Sequence, residues 1–322
     1  MITFFHRNIR AGFSINKVTQ TVVSCIKEKT EYYAPTYKGG VIDILRNLYF
    51  IFVHRNKGEF NHITGGIHYG ILALIGCKSI LTIHDTGMVD YHCASPFKKL
   101  LLKWLWFRLP LRYATKVVCI SNETKKMVQR YTNRKDIHVI YNAVDPSFRT
   151  LPRAFNSICP NILLIGTAPN KNVLNTLDAL AGIHCHVTII GELNDLMKKK
   201  LSRNSIKFTN KMNLSDDGIR EEYENADIIS FISKFEGFGM PIIEANKVGR
   251  PVICSAIPVL KEIGQNSALY VDPDNILEMK TGFETLINDE TVRQTLVERG
   301  FKNVERFSIS VIVPQWLNLY KE

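Results

Sequence analysis

The chain has 322 residues, 45% of them hydrophobic and 22% charged, with a net charge of +11. Those are the proportions of a globular protein large enough for two ordinary domains. No uninterrupted apolar stretch is long enough for a membrane-spanning helix, which takes about 18 residues.

The charge is uneven. Residues 1–155 carry 23 Lys and Arg against 9 Asp and Glu, whereas residues 156–322 carry 18 against 21. The basic half points to an anionic partner: nucleic acid, an anionic membrane surface or a phosphorylated substrate. Added solubility is the plain alternative. The opening "MITFFHRNIRAGFSINK" has only a five-residue apolar run, without the core and cleavage site of a signal peptide. Cys25, Cys77, Cys93, Cys119, Cys159, Cys185 and Cys254 stand singly, with no CxxC pair. Reduced thiols in a cytoplasmic protein are expected, not a disulfide framework or a zinc site.

In chain order, the first half offers short apolar runs at "ITFF" (2–5), "YFIFVH" (49–54), "SILTIH" (79–84), "KVVCIS" (116–121) and "IHVIY" (137–141). The second half offers "NILLIG" (161–166), "HVTIIG" (186–191), "IKF" (206–208), "DIISFIS" (227–233), "PVIC" (251–254) and "LYV" (269–271). Continuous apolar runs of this length read as strands buried on both faces. Helical spacing lies between them. "NVLNTLDALAGI" (172–183) is one case. "LSDDGIREEYENA" (214–226) is another, with Ser and Asp at its cap and acids in its first turn. Strand and helix in alternation predict parallel sheets with covered faces, and there are enough strands for two. The break falls in the Asn-, Pro- and Ser-rich stretch 142–161. The expected fold class is α/β, with two Rossmann-like, doubly wound parallel-sheet domains. Residues 1–150 form the first and 151–305 the second, with 306–322 a C-terminal helix returning to the first.

The most informative stretch is "EGFGMPIIE", Glu236 to Glu244. The strand "DIISFIS" precedes it. Pro241 suits the first turn of a helix "PIIEANKVG", which Gly249 ends. A strand, a glycine loop and a helix N-terminus make a seat for phosphate. Gly237 and Gly239 let the backbone come close to it. Carboxylates on either side would repel a bare phosphate. They suit a phosphate flanked by hydroxyl groups, because an ionised carboxylate only accepts. A nucleotide sugar has sugar hydroxyls on one side of its diphosphate and ribose hydroxyls on the other.

Residues 223–275, "YENADIISFISKFEGFGMPIIEANKVGRPVICSAIPVLKEIGQNSALYVDPDN", resemble the donor-binding signature of the retaining glycosyltransferases of family four, which have the GT-B fold. "VIYNAVDPSF" (139–148) is similar to that family's hinge. "ILLIGTAPNKNVLNTLDAL" (162–180) is similar to the start of its second domain. The resemblance implies two domains facing across a cleft and a substrate nucleotide sugar of UDP, GDP or TDP type, with no separate cofactor and no metal. It implies that Glu236 contacts the donor sugar and Glu244 the ribose, and that the backbone of Gly237, Phe238 and Gly239 receives the distal phosphate, with Met240 also at the donor. Lys171 stands where the family offers a cation to the diphosphate, with Thr167 and Asn170 in the same loop. The family commonly has Arg at the position of Thr167. His84 matches a functional histidine at a strand end near donor sugar and acceptor. Asp85 either acts on the acceptor or caps the next turn. Arg7, Arg10 and Gly12 lie where family members bind acceptor.

Other constellations weigh less. His62 and His68 in "FNHITGGIHYG" (60–70) offer a conceivable metal set, but without metal-site helical spacing. "DPD" at 272–274 imitates a metal-binding signature and is read as a turn. Residues 95–116 mix lysines and arginines with Leu, Trp104, Trp106 and Phe107. They read either as an element lying on an anionic membrane or as a core helix with snorkelling lysines.

The expected function is transfer of a hexose from a nucleotide sugar to a saccharide acceptor, lipid-linked, in bacterial surface-polysaccharide (O-antigen or capsule) synthesis. The expected location is the cytoplasm, peripheral to the inner membrane. A nucleotide-sugar epimerase on the same fold is the first alternative. A basic nucleic-acid-binding protein is the second, though no base-stacking platform or reading helix is visible.

Overall fold

The structure, a computed structural model, describes residues 1–12, 14–90 and 95–322. Cys93 lies outside the described residues. The chain divides into two compact units, Met1–Ala143 with Ile309–Glu322, and Val144–Ser308.

Among the described residues the first unit holds six parallel strands: β1 (Ile2–His6), β2 (Lys29–Tyr33), β3 (Asn61–Ile63), β4 (Ser79–Ile83), β5 (Lys116–Cys119) and β6 (Ile137–Val139). Their order is β2-β1-β3-β4-β5-β6. Register pairs include Phe5 with Ile63 and Leu81 with Val117. The second unit holds β7 (Asn161–Ile165), β8 (His186–Ile190), β9 (Lys207–Lys211), β10 (Ile228–Phe231), β11 (Val252–Ser255) and β12 (Leu269–Val271), again all parallel. Their order, β12-β11-β10-β7-β8-β9, is the doubly wound arrangement. In each sheet the order reverses at one place, beside β1 in the first and between β7 and β10 in the second. Ligands of such sheets bind beyond the carboxyl ends of strands at that reversal.

The core follows from the sequence. Ile162, Leu163, Ile228, Ile229, Val252 and Ile253 are fully buried because helices cover both faces of the second sheet. Each such side chain contributes about 1.5–3 kcal/mol of transfer free energy. The helix Ile309–Lys321 buries Ile312, Trp316 and Leu319 against Val22, Phe60, Ile80 and Val118 of the first unit. Ser215 caps the helix Asp216–Asn225 by accepting from the Gly218 amide at 3.1 Å.

One strand expectation is overturned. "YFIFVH" is the end of a helix, Val41–His54. Ile44, Leu48 and Ile51 sit at helical spacing and pack into the core of the first unit. A short apolar run carries no periodicity of its own, and the residues before it decide. Two strands went unread. The sequence of β2, "KTEYY", is polar and only half-buried. In β3, "NHI", two of three residues are polar yet buried. No helix among the described residues is long and apolar enough to cross a membrane.

Candidate active site

At the reversal in the second sheet, β7 and β10 each release a loop that leads into a helix. After β7, Gly166 takes φ 85°, and a Cβ there would lie 3.2 Å from Lys171 Cε. The chain passes Thr167 and Asn170 to Lys171, turns through Asn172 in the left-handed region and enters the helix Val173–Ala179. After β10, the loop runs to Gly239 and the helix Met240–Val248, with Pro241 in its first turn and Gly249 at its C-terminus in the left-handed region. Gly239 has φ 127°, and a Cβ would come within 2.8 Å of Leu260 Cδ2. Only glycine fits that backbone.

Side chains lace the two loops together. Lys171 Nζ lies 2.7 Å from Glu236 Oε1 and 4.7 Å from the centre of the Phe231 ring. Asn170 Nδ2 donates to the Phe235 carbonyl at 3.0 Å and to Glu236 Oε1 at 3.4 Å. The Lys234 amide donates to the Asn170 carbonyl at 2.8 Å. The sequence pairs Glu236, Lys171 and Asn170 only through a resemblance, and here they form one cluster. Thr167 packs against Gly191, where a Cβ would meet its Oγ1 at 2.7 Å. Phe238 turns its ring into the core, edge-on to Phe307 at 5.8 Å. It presents backbone, not side chain, to the loop. Met240 is the first residue of the helix. A cavity of about 10 Å³ at this reversal is lined by Gly166, Lys171, Ser230 and Ser233. Neither serine hydroxyl has a protein partner among the described residues.

Glu244 lies one turn into the same helix. Its Oε2 accepts from the Tyr223 hydroxyl at 2.5 Å. Tyr223 is fully buried in the helix Asp216–Asn225 and stands edge-on to Phe148 at 5.3 Å. Burial, then the Glu244 charge, holds the Tyr223 phenol well above its ordinary pKa. It is therefore a permanent donor, and it fixes which way Glu244 points. Sequence reasoning missed Tyr223, whose partner is 21 residues away.

The first unit gathers a separate set at the ends of β1, β3 and β4. His84 follows β4 and is buried. Its Nε2 lies 2.8 Å from the Thr64 carbonyl. A carbonyl only accepts, so Nε2 carries the proton and Nδ1 is the ring's acceptor. Burial lowers the His84 pKa and keeps the ring neutral. Gly65, with φ 123°, leaves room for that ring, since a Cβ would sit 2.4 Å from His84 Cδ2. Arg7 follows β1, lies along Gly66 and donates from Nη2 to the Gly12 carbonyl at 2.8 Å. Its buried Nε has no partner among the described residues. Burial lowers the Arg7 pKa, against the opposing charge of Asp85. Arg10 is exposed on the 3-10 turn Ile9–Ala11. Asp85 Oδ1 accepts from the Gly87 amide at 2.8 Å, so it does cap the next turn.

His62 and His68 serve the core of the first unit. His62 joins Tyr320 Oη and Thr82 Oγ1, each at 2.7 Å, and His68 lies 3.0 Å from the Trp106 carbonyl. Asp272 Oδ1 accepts from the Asp274 amide at 2.9 Å, which makes "DPD" a turn.

Comparison with known proteins agrees with this geometry. The family model described as Glycosyl transferases group 1 matches residues 160–303, and that described as Glycosyltransferase Family 4 matches residues 23–148. O-antigen chain mannosyltransferase B of Escherichia coli is 30% identical over 106 residues, which is 33% of this chain and 28% of that protein's length. Sucrose-phosphate synthase from Thermosynechococcus elongatus superposes with a TM-score of 0.81 at 16% identity, over 100% of this chain and 98% of that one. Anabaena HepE in complex with UDP and glucose gives a TM-score of 0.78 at 14% identity, over 100% and 99%. At those identities the structural likeness is one of fold, and the two family models between them account for most of the sequence. The chain therefore belongs to the family 4, or group 1, glycosyltransferases, and its two parallel sheets are the two halves of their GT-B fold.

Proposed function

We propose that this protein is a retaining, metal-independent hexosyltransferase. It takes its sugar from a nucleotide-sugar donor of UDP, GDP or TDP type and gives it to a saccharide acceptor, lipid-linked, in bacterial O-antigen or capsule synthesis. The observation that carries the reading is the Lys171–Glu236 pair, 2.7 Å apart, at the strand ends where the helix Met240–Val248 begins. O-antigen chain mannosyltransferases are among the relatives, and the HepE structure holds UDP and glucose.

On this reading the donor diphosphate lies at the helix N-terminus, where dipole and cation both favour it. Glu236 takes the sugar hydroxyls and Glu244 those of the ribose. Lys171, paired with Glu236 in the free protein, turns its charge to the diphosphate. In the reaction the bond from C1 of the sugar to the diphosphate oxygen breaks. The bond from C1 to the acceptor oxygen forms on the same face. The acceptor proton passes to the leaving phosphate. The protein's part is to stabilise charge on the departing oxygen and to hold the acceptor. No cofactor beyond the donor is needed. His84, neutral with Nδ1 as acceptor, together with Arg7, Arg10, Gly12 and Asp85, serves the acceptor side. On this reading the exposed basic and apolar side chains within residues 95–116 lie against the cytoplasmic face of the inner membrane.

The test is a thermal-shift screen with UDP, GDP, TDP and CMP, because a ligand that binds only the native state raises its stability. Transfer assays then use the sugar nucleotides of the base that binds, with and without a lipid-linked saccharide. Binding of one nucleoside diphosphate and acceptor-dependent turnover are expected. Turnover of the sugar nucleotide without any acceptor would mean an epimerase instead.

A further inference from the structure

The helix Val41–His54 has two apolar faces. Ile44, Leu48 and Ile51 face the core. On the outside, Val41, Ile42, Leu45, Tyr49, Phe52 and Val53 are each more than half exposed. An ordinary surface helix is polar there. Exposed cations are interleaved with these side chains. Arg46 lies between Leu45 and Tyr49, and Lys38 and Lys57 flank the helix. The Arg55 guanidinium stacks 3.4 Å above the Phe52 ring. Asp43 is the only acid between residues 37 and 57.

A second element repeats the pattern. In the helical stretch from Pro96 to Arg108, Phe97, Leu100, Leu101 and Trp104 are exposed beside Lys98, Lys99 and Arg108. Arg108 lies 4.9 Å over the Trp104 ring, and residues 95–108 contain no acid. Both elements rest on the same stretch, His68–Leu74. Asn47 Nδ2 donates to Tyr69 Oη at 2.7 Å, and the Tyr69 ring meets Trp106 at 4.8 Å. The two exposed apolar sets therefore sit on the same side of the first unit's sheet.

We propose that the outer face of the helix Val41–His54, together with residues 97–104, docks on an anionic lipid bilayer. Composition selects this occupant over a protein. Cores of protein interfaces are depleted of lysine and charge. Helices that lie in a membrane interface combine Trp, Phe and Leu with Lys and Arg, whose charges are drawn to an anionic surface. The helix Val41–His54 is an anchor beyond the 95–116 element of the proposed function, on whose membrane reading residues 97–104 rest, and it does not depend on the transferase reading.

The experiment is flotation of the full chain with vesicles of phosphatidylcholine alone, or mixed with phosphatidylglycerol. The wild type is expected to float with the phosphatidylglycerol vesicles and to lose binding as salt rises. The L45E/Y49E double variant, changed only at exposed positions, should bind about tenfold or more weakly. Its thermal midpoint should stay near the wild type's. The charge variant K38E/R46E should lose binding to the anionic vesicles as well. Three outcomes overturn the proposal. The wild type could ignore both vesicle types. L45E/Y49E could bind as the wild type does. Or the wild type could be a stable dimer that L45E/Y49E converts to monomer, which would make a second copy the occupant.

Discussion

Replacing Tyr223 with Phe tests the donor side most directly, because it removes one oxygen and leaves the fold's packing in place. The Tyr223 hydroxyl donates to Glu244 Oε2 at 2.5 Å from a fully buried position. A hydrogen bond to a charged partner is worth about 1.5–3 kcal/mol, which corresponds to about ten- to hundredfold in an equilibrium constant. Little of this should appear as lost stability, since Glu244 is partly exposed and water can replace the hydroxyl. The ring itself stays buried against Phe148. The loss should fall on nucleotide affinity, because Glu244 would no longer be held toward the ribose. Calorimetric titration of the nucleotide should show Kd raised about tenfold in Y223F. Transfer kinetics should show a raised KM with kcat nearly unchanged, the signature of lost uniform binding. A cycle with Glu244→Ala should be non-additive by about 0.5–3 kcal/mol, as for residues in contact. Unchanged nucleotide affinity in Y223F, or losses that simply add, would refute the bracing of Glu244 by Tyr223.

Lys171→Ala and Glu236→Gln should each reduce kcat/KM by about 1.5–3 kcal/mol of transition-state energy or more. The K171A/E236Q double variant should cost less than the sum, and wild-type rates in both singles would sink the assignment. His84→Ala should impair transfer and leave nucleotide Kd unchanged; the opposite pattern in calorimetry would contradict its place on the acceptor side. Gly65→Ala should mimic it, because the new Cβ would meet the His84 ring at 2.4 Å. Burial pushes His62 down to about 3 and His68 down to about 4, against about 6.5 in the unfolded chain. The unfolded state then binds more protons below about pH 6.5, so stability falls as pH drops from there toward 3–4. From about pH 7 to 5 each histidine should cost about 1.5–2 kcal/mol. A urea midpoint that does not move between those values would contradict their neutral burial.

What the sequence reveals depends on how locally each feature is encoded. The second sheet is the more legible, because runs such as "NILLIG" and "DIISFIS" hold their apolar residues in one continuous block buried on both faces. The first is less so. Asn61 is buried in β3 because its side chain spans loops, donating to the Asn56 and Lys78 carbonyls at 2.7 and 3.2 Å. His62 beside it is tied to Tyr320, 258 residues away. Polar residues satisfied at such distances read as loop in a local window. The helix Val41–His54 is misread for the opposite reason, since an apolar outer face erases the period that marks a helix. At the site, Glu236 and Glu244 stand out by spacing, and Lys171 by resemblance. Tyr223 and Thr64 act through contacts that no spacing announces.

The C-terminal helix has a consequence for how the chain is made. Trp316 and Tyr320 cover Phe60, Ile80 and His62, so the first unit receives the last part of its core after all of the second has been synthesised. At elongation rates of about 5–20 residues per second, roughly 10–30 s separate Ala143 from Ile309 on the ribosome. Throughout that interval the apolar floor around Val22, Phe60, Ile80 and Val118 has no lid. The second unit can close first. The N-terminal half, although translated earlier, is the part that must wait, and it is the part most in need of chaperone cover.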